Sequence, residues 1–154
     1  MFHLILFEPE IPPNTGNIIR LCANTGCSLH LVQPLGFMLD DKRMRRAGLD
    51  YCEYADIVEH ESLSACLDSL GHPRLVAVST RGQTPYTGYR YQEGDAILLG
   101  PETRGLPAEV LAELPAARVL RIPMQTGNRS LNLSNAAAVV LYEAWRQNKF
   151  AGGH

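Results

Sequence analysis

Metal-binding spacings are missing from this chain of 154 residues. The four cysteines, Cys22, Cys27, Cys52 and Cys66, form no C-x-x-C pair, and none of the five histidines belongs to an H-E-x-x-H pattern. No metal site is therefore expected, and free thiols in a reducing cytoplasm are. No apolar run reaches the roughly eighteen residues of a membrane-spanning helix. The opening MFHLILFE lacks a basic lead-in and a small-residue cleavage site, so it reads as a first strand rather than a signal peptide. Charge of one sign is also missing. A formal net charge of −2 means that any site for a polyanion has to be local. No strand-to-helix junction carries G-x-G-x-x-G, which removes the main signal of a Rossmann dinucleotide fold and of the common Rossmann-type methyltransferases. Internal repeats, low-complexity tracts and linkers are absent too.

Hydrophobic residues at 45% against 19% charged imply a globular chain with enough apolar surface for a sizeable core. The length fits one domain, taken as 1–150, with 151–154 as a frayed tail. Six short apolar strands are expected at 3–7, 29–32, 55–58, 75–78, 96–99 and 119–122. Helical patterns at 16–24, 41–47, 62–70 and 108–114 lie between most of them. Strands alternating with helices predict an α/β domain, a mostly parallel six-stranded sheet with helices on both faces. Gly26, Gly48 and Gly71 stand where helices should stop.

The organising stretch is 119–145. A short strand ending at Pro123 leads into a polar loop, then Ser130, Asn132 and Ser134, then an unbroken helical run from Ala136 to Trp145. Ser134 or Asn135 is the expected N-cap. Small hydrogen-bonding groups before a helix backed by alanines would let a flat polar ligand lie against the chain; taken alone, capping and turning are the more natural use of them. After the first strand, EPEIPPNTGN at 8–17 is kept extended by three prolines, so Asn14 or Thr15 should start a helix that carries Arg20. The GPETRGLP loop at 100–107 fixes a carboxylate, Glu102, at the carboxyl end of a strand, the ligand-binding edge of a parallel sheet. DDKRMRR at 40–46 reads as a short helix bearing Lys42, Arg43, Arg45 and Arg46, either a solvated face or a grip for phosphates.

Together NTGNIIR at 14–20, GPETRG at 100–105, and IPM at 122–124 with SLNLSN at 130–135 resemble the SPOUT superfamily, and within it the tRNA ribose 2′-O-methyltransferases. The longer runs EPEIPPNTGNIIRLCANTG at 8–26 and DDKRMRRAGLDY at 40–51 are similar to the members that methylate the wobble nucleotide of leucine tRNAs. The likeness covers essentially the whole chain.

The resemblance implies a carboxyl-terminal deep trefoil knot whose loops bind S-adenosylmethionine without a metal. By the same likeness Val78, Ser79, Thr80, Gly100, Pro101, Glu102, Ile122, Met124, Ser130, Leu131 and Asn132 hold the cofactor. Arg20, Asn14, Glu102 and Asn132 serve catalysis, while Lys42, Arg43, Arg45 and Arg46 contact RNA. It also implies a cytoplasmic homodimer, with no membrane partner, whose active site spans the interface and takes the anticodon loop of leucine tRNA. Val139, Leu141, Tyr142 and Trp145 are expected to offer the apolar dimer area. A non-catalytic RNA-binding or assembly protein, and a nucleotide-binding small-molecule enzyme, are the competing readings.

Overall fold

The structure, a computed structural model, describes residues 1–39 and 57–154. The basic helix expected at 41–47, with Gly48 and Cys52, lies outside the described residues.

A single sheet of seven strands forms the centre: β1 (His3–Phe7), β2 (Ser28–Val32), β3 (Ile57–His60), β4 (Leu75–Val78), β5 (Thr84–Pro85), β6 (Ala96–Leu99) and β7 (Val119–Arg121). Their order is β3-β2-β1-β6-β4-β7-β5, and every pairing is parallel. The seventh strand corrects the expectation of six. Thr84–Pro85 is two residues long, and its proline suits only an edge, where a missing amide breaks no ladder. The third strand extends to His60, two residues beyond the expected end, and pairs Val32 with His60.

Four helices lie among the described residues: α1 (Pro12–Thr25), α2 (Leu63–Ser69), α3 (Ala108–Ala112) and α4 (Leu133–Gln147). Alternate strand residues divide the core into two. Leu4, Leu6, Leu29, Leu31, Ile97 and Leu99 pack with Ile18, Ile19 and Cys22 of α1 and with Ala137, Val140 and Leu141 of α4. Ile5, Val32, Ala77, Ala96 and Leu98 pack on the opposite side with Cys66 of α2 and with Val110 and Leu111 of α3. Both faces are thus covered, which is why the strands read as continuous apolar runs rather than alternating ones. No helix among the described residues is long and apolar enough to cross a membrane.

Two helix starts differ from expectation. α1 begins at Pro12, not at Asn14 or Thr15, because a proline at the first helical positions gives up an amide that has no partner there anyway. Gly26 ends it in the left-handed region, φ 70°, with its amide donating to Cys22 O. α4 is capped by Asn132, not by Ser134 or Asn135. Leu141 is buried, whereas Val139 and Tyr142 on the same helix are exposed. The end of the chain turns back on itself: Trp145 Nε1 donates to Ala151 O at 3.0 Å and Gly153 N to Phe150 O at 2.8 Å.

Candidate active site

A cavity of about 460 Å³ opens beyond the carboxyl ends of β4, β6 and β7. That volume is within the range of small-molecule and cofactor sites. Val78, Ser79, Thr80, Gly100, Pro101, Glu102, Ile122, Met124, Ser130, Leu131 and Asn132 all line it, as does Asn14 from the start of α1. Arg20, one and a half turns further along α1, is exposed and is not part of the lining. Lys42, Arg43, Arg45 and Arg46 lie outside the described residues. Reasoning from the motifs missed Arg81, Leu99 and Ala136, which also face the cavity, while Ile11 and Leu133 face it from inside recognised runs without having been assigned to it. Thr103 and Arg104 sit inside a recognised loop, and their place in it was the available signal.

Close backbone contacts fix the cavity walls. A methyl group on Gly100 would fall 2.4 Å from Leu106 N, and one on Gly82 would fall 2.6 Å from the Leu120 carbonyl. Any side chain there would push the two segments apart. The turn after β4 is tied to β7, with Ser79 N donating to Leu120 O at 2.9 Å and Arg121 Nη1 to Thr80 O at 3.0 Å.

Asn132 joins two motifs through one side chain. Its Oδ1 accepts from Ser134 N at 2.9 Å and Ser134 Oγ at 2.6 Å, which caps α4. Its Nδ2 donates to Asn14 Oδ1 at 3.0 Å, across 118 residues of sequence. Asn14 is buried, so this bond satisfies an amide oxygen otherwise cut off from water.

Two glutamates join the other walls. Glu10 N donates to Glu102 Oε2 at 2.7 Å, while Glu10 Oε1 accepts from Thr103 N at 2.9 Å and Thr103 Oγ1 at 2.8 Å. The Thr103 amide, more than any other group, holds the Glu10 carboxyl below the usual carboxylate range. Behind Glu10 the chain is clamped a second time: Gly36 N donates to Pro9 O at 2.9 Å, and a methyl on Gly36 would come within 2.9 Å of Glu10 Cα. Glu102 Oε1 is buried without a hydrogen-bond partner among the described residues. An acceptor left so in a cavity wall suits a ligand that brings a donor.

The lining therefore fits a nucleoside-type cofactor with a polar tail. Apolar Val78, Leu99, Ile122 and Leu131 offer faces for a ring, and the loops at 79–80 and 100–102 offer backbone groups for its edge. Among the described residues, the only three-residue group of metal-ligand type is His30, His60 and Cys66, with ligand atoms within 4.8 Å of one another. It lies on the sheet face away from α1 and α4, and its histidines already bond to each other, His30 Nδ1 to His60 Nε2 at 2.9 Å.

Known proteins match the chain along its whole length. It is 59% identical to a tRNA (cytidine(34)-2'-O)-methyltransferase of Yersinia pestis, covering 99% of this chain and 97% of the relative. The protein of the same description from Escherichia coli K12 is 55% identical, again over 99% and 97% of the two chains. Among solved structures, one that gives insight into 2-OH methylation of C/U34 on tRNA superposes with a TM-score of 0.91 at 48% identity, covering 97% of each chain. The SpoU methyltransferase AviRb of Streptomyces viridochromogenes, in complex with AdoMet, superposes at 0.84 with 25% identity over 99% of this chain and 58% of that one. A family model described as the SpoU rRNA methylase family matches residues 1–142, and with these likenesses it settles the kinship: the chain belongs to the SpoU methylase family of RNA methyltransferases.

Proposed function

We propose that the protein transfers a methyl group from S-adenosylmethionine to the ribose 2′-hydroxyl of the wobble nucleotide, cytidine or uridine, in the anticodon loop of leucine tRNAs. One observation carries the reading. Residues from all three motifs line one cavity in a chain 59% identical to a protein named for cytidine-34 methylation. When bound, the cofactor supplies an electrophilic methyl group on a positively charged sulfur. The chain supplies the rest. Val78, Ile122 and Leu131 enclose the adenine, and Ser79, Thr80, Gly100, Pro101, Met124 and Ser130 hold its edges and the ribose.

A ribose hydroxyl is a poor nucleophile that needs alignment and a destination for its proton. An arginine side chain offers a planar fork of donors and no acceptor, so Arg20 is poorly built to take that proton itself. It is suited instead to clamp the neighbouring phosphate with two hydrogen bonds, so that a phosphate oxygen takes the proton. Asn14 and Glu102 would orient the Arg20 that enters their cavity, and Asn132 would align the reacting groups. Arg20 lies outside the lining of its own cavity, which favours a homodimer in which it serves the partner's cofactor. The same reading places a deep trefoil knot at the carboxyl-terminal end; β7 inserted between β4 and β5, with α4 returning onto α1, supports it. The protein would act in the cytoplasm, where its tRNA is. Lys42, Arg43, Arg45 and Arg46 would grip tRNA phosphates. Replacing all four by alanine should weaken tRNA binding and lower the slope of log affinity against log salt by up to about 0.9 per lost contact, with cofactor binding unchanged.

The test is methylation of leucine tRNA transcripts with the purified protein and a chelator, with mass spectrometric mapping of the product. A 2′-O-methyl group at the wobble nucleotide is the expected result. Saturable tRNA binding without methylation would replace this reading with that of a non-catalytic RNA-binding protein.

A further inference from the structure

Glu10 stands outside the three motifs and outside the cavity lining, yet it touches the cofactor loop at two points in opposite senses. Its carboxylate receives the amide and hydroxyl of Thr103, at 2.9 and 2.8 Å, and its own amide donates to Glu102 at 2.7 Å. A side chain that accepts from one residue while its backbone donates to the neighbour fixes both the height and the tilt of the loop at 102–103. Glu10 is also two residues from Pro12, where α1 begins, and α1 carries Asn14 and Arg20. On its other side Gly36 presses against it, leaving the backbone at 9–10 no space to retreat.

We infer that Glu10 is a positioning residue for methyl transfer: through Thr103 and Glu102 it sets the cofactor loop and the start of α1 in one register, so that cofactor and substrate groups are aligned together. The inference rests on the cofactor reading above. Hydrogen bonds to a charged acceptor are the stronger class, and the acceptor here is a carboxylate held ionised by the amide it receives. A loop released at this point would leave the buried Glu102 Oε1 free to turn away from the ligand. Both cofactor affinity and the rate at saturation should therefore change.

Calorimetry with S-adenosylhomocysteine, and single-turnover methylation of leucine tRNA at saturating cofactor, read the two effects. For Glu10→Ala the dissociation constant should rise about tenfold and the single-turnover rate fall about tenfold, the scale of losing a charge-assisted hydrogen bond. Glu10→Gln keeps an acceptor oxygen for the Thr103 amide and should recover most of both. Thr103→Val removes only the hydroxyl, giving a smaller effect that does not add to that of Glu10→Ala. Affinity and rate within about twofold of wild type in folded Glu10→Ala would overturn the inference. So would equal impairment of the alanine and glutamine variants tracking a lower Tm, which marks a merely structural side chain. If Glu10→Ala fails to fold, unaltered binding and rate in Thr103→Val, which loses the hydroxyl bond to Glu10, refute it instead. Wild-type protein that binds no S-adenosylhomocysteine removes the cofactor reading itself, and this inference with it.

Discussion

At the scale of single residues, two side chains near the cavity have separable tasks. Arg20 is outside the lining, so Arg20→Ala should leave S-adenosylhomocysteine affinity near wild type while turnover falls by about two to three orders of magnitude, the usual scale of acid–base or transition-state charge groups. Single-turnover methylation checks this, and a rate within about threefold of wild type removes Arg20 from the mechanism. Asn132 both caps α4 and holds Asn14. Asn132→Ala should lose about 1 kcal/mol of stability, the typical worth of an N-cap. Asn132→Asp keeps the cap acceptor but loses the donor to Asn14, so urea unfolding should show little loss while the cofactor dissociation constant rises. If the aspartate variant is as unstable as the alanine one, the Asn14 contact rather than the cap stabilises the helix start. Ser130, Asn132, Ser134 and the Glu102 loop were legible as polar groups gathered at strand ends, whereas Val78, Ser79, Thr80, Ile122, Met124 and Leu131 were offered only by the family resemblance. Asn132 was not legible as the cap. Its choice over Ser134 is made by Asn14, a partner 118 residues away that no local rule sees.

At the scale of elements, β1, β2, β3 and α2 share a polar row that is buried at Ser28, His30 and His60 and half-buried at His3. His3 Nδ1 meets Ser28 Oγ at 2.6 Å, Ser28 Oγ meets His30 Nε2 at 3.0 Å, and His30 Nδ1 meets His60 Nε2 at 2.9 Å. Burial lowers the pKa of His60, and burial followed by the nearby amino terminus lowers that of His3. Cys66, facing them from α2, is pushed up to about 11 by burial and stays a neutral thiol. A histidine whose folded pKa is depressed binds protons better when unfolded. Its contribution is therefore complete above the unfolded value near 6.5 and declines as pH falls through the folded one. Thermal melts at constant ionic strength should show Tm dropping between about pH 7.5 and pH 5.5. The drop should be shallower in His60→Gln. A wild-type profile flat over that interval would mean that the row titrates alike in both states. β1 and β2 were readable from their apolar runs, β3 only in part because the expected strand stopped short of His60, and the row was not readable at all, since it exists only once the parallel register sets His30 beside His60. The edge strand Thr84–Pro85 escaped for the opposite reason: it is too short for any periodicity, and its proline argues locally against a strand.

At the scale of the whole molecule, α4 leaves Val139 and Tyr142 exposed, and Ile11 and Leu131 beside the cavity are exposed as well. If the active site is shared across a dimer through α4, replacing both Val139 and Tyr142 by glutamate should halve the sedimenting mass and abolish methylation. S-adenosylhomocysteine binding should survive in the resulting monomer. A wild-type protein that sediments as one chain at micromolar concentration with full activity would show that no partner is needed. The α/β class and the parallel sheet followed from strand and helix alternation alone, whereas strand order did not, because apolar strands of similar composition can neighbour one another in many ways. That order has a kinetic side. β1 pairs on one flank with β6, His3 beside Ala96, and β6 meets β4, which in turn pairs with β7 at Val119. Loop closures of this span raise the entropic barrier and slow folding. The near ladder between β1 and β2 can close early, but the other flank of β1 stays open to solvent and to chaperones until the distant β6 docks against it.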